Sequence, residues 1–168
     1  MKTYAIVGAG SRGTTMYAVQ MQKYFSDCAS IVGVCDVNKK RCAALIDEAG
    51  LTDCRIYDCF DEMLDKEKPD VVIVTTIDCF HHEYIIKALD FGCDVISEKP
   101  LTVDEQKYKM IAEAEKRAGK KVIVTFNCRF MPFFLRVKQL LMEGTIGEVL
   151  SVHYEWYLDT SHGADYFR

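Results

Sequence analysis

The segment Gly8-Ala9-Gly10-Ser11-Arg12-Gly13 has the spacing G-x-G-x-x-G. It follows a short apolar run, Tyr4–Val7, and opens a stretch of helical periodicity. In that setting the three glycines have separate tasks. Gly8 permits a tight turn, Gly10 lets a pyrophosphate reach the backbone, and Gly13 lets helix and strand pack closely. The free N–H groups of the helix start, with Ser11 and Arg12 at its opening, favour an anion. A glycine-rich turn without a ligand is the competing reading, which register and position disfavour. Asp36 stands 23 positions beyond Gly13, after a second apolar run. A carboxylate there accepts hydrogen bonds from ribose hydroxyls and repels a 2′-phosphate, which points to NAD over NADP. Lys39, Lys40 and Arg41 pull the other way, toward NADP, unless they only form a solvated helix face. As a helix cap, Asp36 would bind nothing. Glu98-Lys99-Pro100 follows a fifth apolar run, so Lys99 is aimed at the crevice where open parallel sheets bind ligands. A lysine there can orient a substrate hydroxyl or move its proton; an exposed loop lysine would do neither.

The elements that must hold these residues alternate strand and helix. Strands are expected at Tyr4–Val7, Ser30–Cys35, Arg55–Tyr57, Val71–Thr75, Asp94–Ser97 and Val122–Phe126. The first helix, Arg12–Tyr24, should bury Met16, Val19, Met21 and Tyr24. Asn38 caps a helix that Gly50 ends. Further helices are expected at Phe60–Lys66 and Phe80–Phe91, the latter closed by Gly92. Thr102 and Glu105 form a capping box for a helix to Ala118, which Glu105–Lys109 and Glu113–Arg117 pairs support and Gly119 ends. This succession predicts an α/β fold: a doubly wound parallel Rossmann sheet at residues 1–127. The pattern changes after Asn127. A hinge helix, Met131–Glu143, a turn at Gly144–Gly147 and a long strand, Glu148–Leu158, would begin a second α+β domain at residues 128–168. That strand sets Leu150, Val152, Tyr154, Trp156 and Leu158 on one wholly apolar or aromatic face. An edge of this kind recruits a second copy, so a homo-oligomer is expected.

Composition narrows the partners. The 168 residues are 49% apolar and 27% charged with a net charge of −4, an ordinary globular balance. There is no basic tract interleaved with aromatics, which argues against nucleic acid. No run approaches a membrane span and no export signal is legible, so no membrane partner and a cytoplasmic setting are expected. The eight cysteines show no Cys-x-x-Cys spacing. They read as reduced core residues, with no metal site implied.

Six segments occur in a telling order: Gly8–Gly13, Asp36, Thr75-Thr76-Ile77-Asp78-Cys79-Phe80-His81, Glu98-Lys99-Pro100-Leu101, Asn127-Cys128-Arg129-Phe130-Met131-Pro132 and Glu143–Glu148. Together they resemble the glucose–fructose oxidoreductase, inositol dehydrogenase and rhizopine-catabolism (Gfo/Idh/MocA) family across nearly the whole chain. The resemblance implies an NAD(P)-dependent oxidoreductase that passes hydride between a nicotinamide and a hydroxyl of a sugar or cyclitol. It implies that Lys99 is the catalytic lysine. It further implies that Thr75, Thr76 and His81 line the loop beside the cofactor, that Glu98 and Pro100 shape the nicotinamide side, and that Arg129 stands at the active-site mouth. Ile77 replaces the family's usual proline. The family's substrate domain is much longer than residues 128–168, so the chain is expected to be a cofactor-binding fragment without full activity. Asp159, His162 and Asp165 lie in its final loop and receive no catalytic role. Two other functions remain open: NAD-dependent glycoside cleavage on the same fold, and a non-catalytic NAD-binding module or sensor.

Overall fold

Six short runs rich in Val and Ile form one parallel sheet in the computed structural model, which describes residues 1–157. The strands are β1 (Lys2–Val7), β2 (Ala29–Cys35), β3 (Arg55–Tyr57), β4 (Val71–Val74), β5 (Asp94–Ser97) and β6 (Val122–Val124). Their order is β3-β2-β1-β4-β5-β6. The chain leaves β1 in one direction and returns to β4 on its other side. That reversal between β1 and β4 is the switch point where such sheets open a ligand crevice.

Helices cover both faces, so the central strands are buried on both sides and read as continuous apolar runs. Ile6 and Ile73 turn toward one helix layer and pack with Ala18, Cys42 and Leu45. Val72, Val74 and Val95 turn the other way, onto Met63, Ile85, Leu89 and Ile111. The helices are α1 (Arg12–Ala18 as π-helix, then Val19–Phe25 as α-helix), α2 (Lys39–Ala49), α3 (Phe60–Glu67), α4 (His81–Phe91) and α5 (Glu105–Ala118). A one-turn 3₁₀ segment, Asp78–Phe80, leads into α4. Asn38 caps α2 as expected, its side chain accepting from the Lys40 N–H. Gly50, Gly92 and Gly119 follow the ends of α2, α4 and α5.

Three expectations about the helices are corrected. The first turns of α1 are π-helical, which changes the residues facing inward: Gly13, Thr14 and Ala18 are buried, whereas Met16 and Tyr24 are exposed. The cap of α5 is Asp104, whose carboxylate accepts from the Lys107 N–H at 2.8 Å. Thr102 lies too far upstream to cap, and its hydroxyl is buried with no hydrogen-bond partner among the described residues. Lys109 does pair with Glu105, but Arg117 crosses to Asp90 on α4 instead of pairing along its own helix.

The compact unit just described spans Met1–Phe126, and a second begins at Asn127. In the second unit a 3₁₀ turn, Asn127–Phe130, precedes α6 (Pro132–Met142). The turn at Gly144–Gly147 closes with the Gly147 N–H on Gly144 O. The expected strand is not formed over residues 148–157, which have no regular structure. His153 and Tyr157 both reach Glu155, so side chains two apart share a side as they do in extended backbone. Among the described residues no neighbouring strand supplies this segment with ladder hydrogen bonds. Leu158, Asp159, His162 and Asp165 lie outside the described residues.

Candidate functional site

The glycine loop runs from the carboxyl end of β1 into α1 and lies against the start of the β4 loop. Gly8 has φ +99°, and a Cβ there would come within 2.7 Å of the Thr75–Thr76 backbone. A Cβ on Gly13 would stand 2.4 Å from Gly8 O. Both positions therefore need glycine for a close approach of backbone to backbone. Gly10 differs, since a Cβ there would meet nothing within 4 Å. Its open flank is space that the protein leaves unfilled beside the first N–H groups of α1, which have no intrahelical partners. Ser11 is exposed at the same helix start.

Thr75 is buried and braces this loop from β4. Its hydroxyl lies 2.7 Å from Gly8 O, an acceptor, and 3.2 Å from Val7 O. Thr76 lines the crevice, and its hydroxyl oxygen is buried with no hydrogen-bond partner among the described residues. Such an orphan is costly unless something else pairs with it.

Asp36 follows β2 and is fixed from both sides. Its Oδ2 accepts the Ala9 N–H of the glycine loop at 2.8 Å, and its Oδ1 accepts the Asn38 N–H at 2.8 Å. A carboxylate has about four lone-pair sites, so it keeps acceptor capacity for hydroxyls. The carboxylate lines a cavity of about 490 Å³ over the ends of β1, β2 and β4. Val37, Ile77, Phe80 and Tyr84 supply apolar wall, and Arg41, Asp58 and Glu83 bring charge to the rim. Lys39 is drawn to Asp58, with Nζ 2.7 Å from Oδ2. That pair pulls the Asp58 carboxyl below its ordinary range and the Lys39 ammonium above its own. Cys35 lies under the same cavity; burial pushes its thiol up to about 12, so it stays a protonated, inert wall.

At the end of β5 a buried carboxylate organises the next part of the crevice. Glu98 Oε1 accepts from Tyr17 of α1 at 2.9 Å and from Thr125 beyond β6 at 3.2 Å. Its Oε2 stands 3.5 Å from Arg12 Nε and accepts the Lys99 N–H at 3.3 Å. Burial raises the Tyr17 phenol well above its ordinary value: its hydrogen bond with the Thr125 hydroxyl, at 2.8 Å, offsets part of that, and the Glu98 carboxylate adds to it. Tyr17 therefore donates as a neutral phenol. Glu98 thus joins α1, β5 and the segment after β6. Lys99 follows it, half-buried, and the Lys99–Pro100 peptide is cis.

His81 opens α4 and is wholly buried. Its Nδ1 lies 2.9 Å from Pro100 O and its Nε2 3.0 Å from Thr76 O. Both ring nitrogens are thereby directed at backbone carbonyls, and the imidazole ties the β4 loop to the Lys99–Pro100 loop. His82 Nδ1 is buried and unpartnered among the described residues. No group of three or more His, Cys, Asp or Glu side chains suited to a metal ion occurs among those residues. Arg129 belongs to the second unit, exposed, with its guanidinium 6.0 Å from the centre of the Phe130 ring.

Of the residues expected at the site, Gly8, Gly10, Asp36, Thr75 and Thr76 line one crevice, and Gly13 packs behind it against Gly8 and Thr75. Arg12, Glu98 and Lys99 form a second, adjoining cluster through the Glu98 contacts. Tyr17 and Thr125 were not anticipated. Tyr17 is four residues beyond Gly13, and the π-helical turn that faces it inward leaves no periodicity to read. Thr125 had a signal: it directly follows β6, at the carboxyl edge where ligands bind. Asp58 is likewise the first residue after β3.

The match to known proteins follows this geometry. Residues 2–126 match the Gfo/Idh/MocA family, described as an oxidoreductase family with an NAD-binding Rossmann fold. The chain is 39% identical to the Bacillus subtilis protein YteT, over all of this chain and 40% of YteT. It is 34% identical to inositol 2-dehydrogenase of Serratia proteamaculans, over 73% of this chain and 36% of that protein. Among solved structures, scyllo-inositol dehydrogenase from Lactobacillus casei, with bound NAD(H) and scyllo-inositol, superposes with a TM-score of 0.78 at 26% identity, over 88% of this chain and 43% of that one. The WlbA dehydrogenase from Chromobacterium violaceum, in complex with NADH and UDP-GlcNAcA, gives a TM-score of 0.78 at 25% identity, over 87% and 41%. The chain thus spans about 40% of the length of these relatives.

Proposed function

Because the chain belongs to the Gfo/Idh/MocA family of NAD-binding Rossmann-fold oxidoreductases, we propose that residues 1–126 bind NAD(H) and serve hydride transfer to or from a hydroxyl of a sugar or cyclitol. One observation carries the reading: the glycine loop and the Asp36 carboxylate face one cavity at the β1/β4 switch point. The open flank of Gly10 and the α1 N–H groups suit a pyrophosphate. Asp36 suits the ribose hydroxyls, and the Thr76 hydroxyl, without a partner among the described residues, offers a further polar contact in the same crevice.

When bound, the nicotinamide supplies the hydride acceptor or donor. Lys99 would meet the reacting hydroxyl, orient it and move its proton. Glu98, held by Tyr17, Thr125 and Arg12, fixes the backbone from which Lys99 projects. His81 fixes the same loop from below. Relatives named as inositol dehydrogenases support a polyol substrate. Eight free thiols support a cytoplasmic setting.

Calorimetry on the chain tests the reading. NADH should bind, and Gly10→Val should weaken binding by more than tenfold. The glycine's flank is empty, so the valine enters the ligand's space without clashing with the protein, and thermal unfolding should be nearly unchanged. Binding of equal strength in that variant would remove the site assignment.

A further inference from the structure

Four charged side chains meet where the ends of β2 and β3 approach the start of α2. Asp36 is pinned by two backbone N–H groups and faces the cavity. Arg41 and Asp58 line the same cavity. Lys39, the first residue of α2, is turned onto Asp58 at 2.7 Å. By sequence, Lys39, Lys40 and Arg41 form a basic cluster one turn from the ribose-binding carboxylate. That is where a 2′-phosphate would find cations. The structure changes this balance, because the first cation of the cluster already has an anion, and the anion comes from a different strand. The cavity lining then carries three carboxylates, Asp36, Asp58 and Glu83, against one guanidinium.

We propose that Asp58 is a specificity-determining residue for the cofactor: it holds Lys39 in an ion pair that cancels that cation's pull on a 2′-phosphate, so Asp36 acts unopposed by Lys39 and the site selects NAD(H) over NADP(H). The inference rests on the NAD(H)-binding reading above. It assigns the choice to a pair of residues and not to Asp36 alone. A 2′-phosphate carries close to two negative charges, so each nearby carboxylate disfavours it and each released cation favours it. Discrimination of this kind works by placing repulsion against the wrong ligand. The pair is more than half exposed on both sides, so it adds little to folding and can be altered without unfolding the chain.

The test compares dissociation constants of NADH and NADPH for the whole chain, at low and high salt. In the wild type NADH should bind at least tenfold more tightly than NADPH. Asp58→Asn should lower that ratio about tenfold, and the change should shrink at high salt because it is electrostatic. Adding Lys39→Ala to Asp58→Asn should restore much of the preference, since the released cation is then gone. A ratio unchanged in Asp58→Asn overturns the proposal. So does a ratio that Lys39→Ala fails to restore, or a wild type that binds both cofactors equally while Gly10→Val still abolishes binding. If the wild type binds neither cofactor, the NAD(H) reading itself fails, and this inference falls with it.

Discussion

Glu98 shows what a single buried charge requires. A carboxylate removed from water is costly unless donors surround it. Here Tyr17, Thr125, Arg12 and the Lys99 N–H all approach it. The cost of removing one donor follows from that count. Tyr17→Phe leaves the ring in place but takes away the phenol hydrogen on Oε1. A hydrogen bond to a charged group contributes about 1.5–3 kcal/mol, so this variant should lose about 1–2 kcal/mol, with Thr125 still on the same oxygen. Urea denaturation would show it as a lower midpoint at an unchanged slope. No loss would mean that water replaces the phenol and the network is not closed. At this scale the sequence is legible where backbone geometry demands one residue type, as at Gly8 and Gly13. It is not legible where a long side chain reaches across strands. Nothing near Tyr17 announces a partner 81 positions away. The same holds for Lys39 and Asp58, which look like members of separate surface runs until the β2–β3 pairing brings them together.

Element boundaries were legible to within a residue or two for most strands, because buried parallel strands are short apolar runs bounded by turn residues. The misreadings have physical causes. A π-helical opening to α1 follows no 3.6-residue period, so the predicted inner face was displaced. At α5 two residues fit local capping rules: side-chain preference favours Asp104, whereas the capping-box spacing to Glu105 favours Thr102. Which one caps depends on where the chain from Pro100, anchored by Leu101 against the core, turns into the helix. The outcome leaves the Thr102 hydroxyl buried and unpaired among the described residues. Thr102→Val keeps the shape and removes that orphan, so it should raise stability by about 1 kcal/mol. A capping role would give the opposite sign. A loss of stability on thermal or urea unfolding would therefore restore Thr102 as a hydrogen-bonding residue.

On the scale of the whole molecule, burial is divided very unevenly between the two units. Among the described residues every buried one lies at or before Ala114, and none from Asn127 onward is buried. Met1–Phe126 has two apolar layers around its sheet. The second unit has aromatic contacts of its own, with Phe134 near Trp156 and Tyr154 beside it, but Phe134 is only half-buried and Tyr154 and Trp156 are exposed. Leu150 and Val152 are 89% and 82% exposed. An apolar surface of this extent seeks cover, and in a dilute solution of one protein the available cover is another copy. The chain should therefore self-associate in a concentration-dependent way by light scattering. Leu150→Lys with Trp156→Lys should reduce the association, because both charges would have to be desolvated at the contact. Hydrogen exchange on the same samples adds a second reading. The amides of β1 and β4 should be the slowest, since they are the central pair of the sheet, with two further strands on either side. Those of residues 148–157 should exchange fast at low concentration and slow down as association proceeds. A monomer at every concentration, with residues 148–157 already protected, would show that this segment finds its strand partner within the chain.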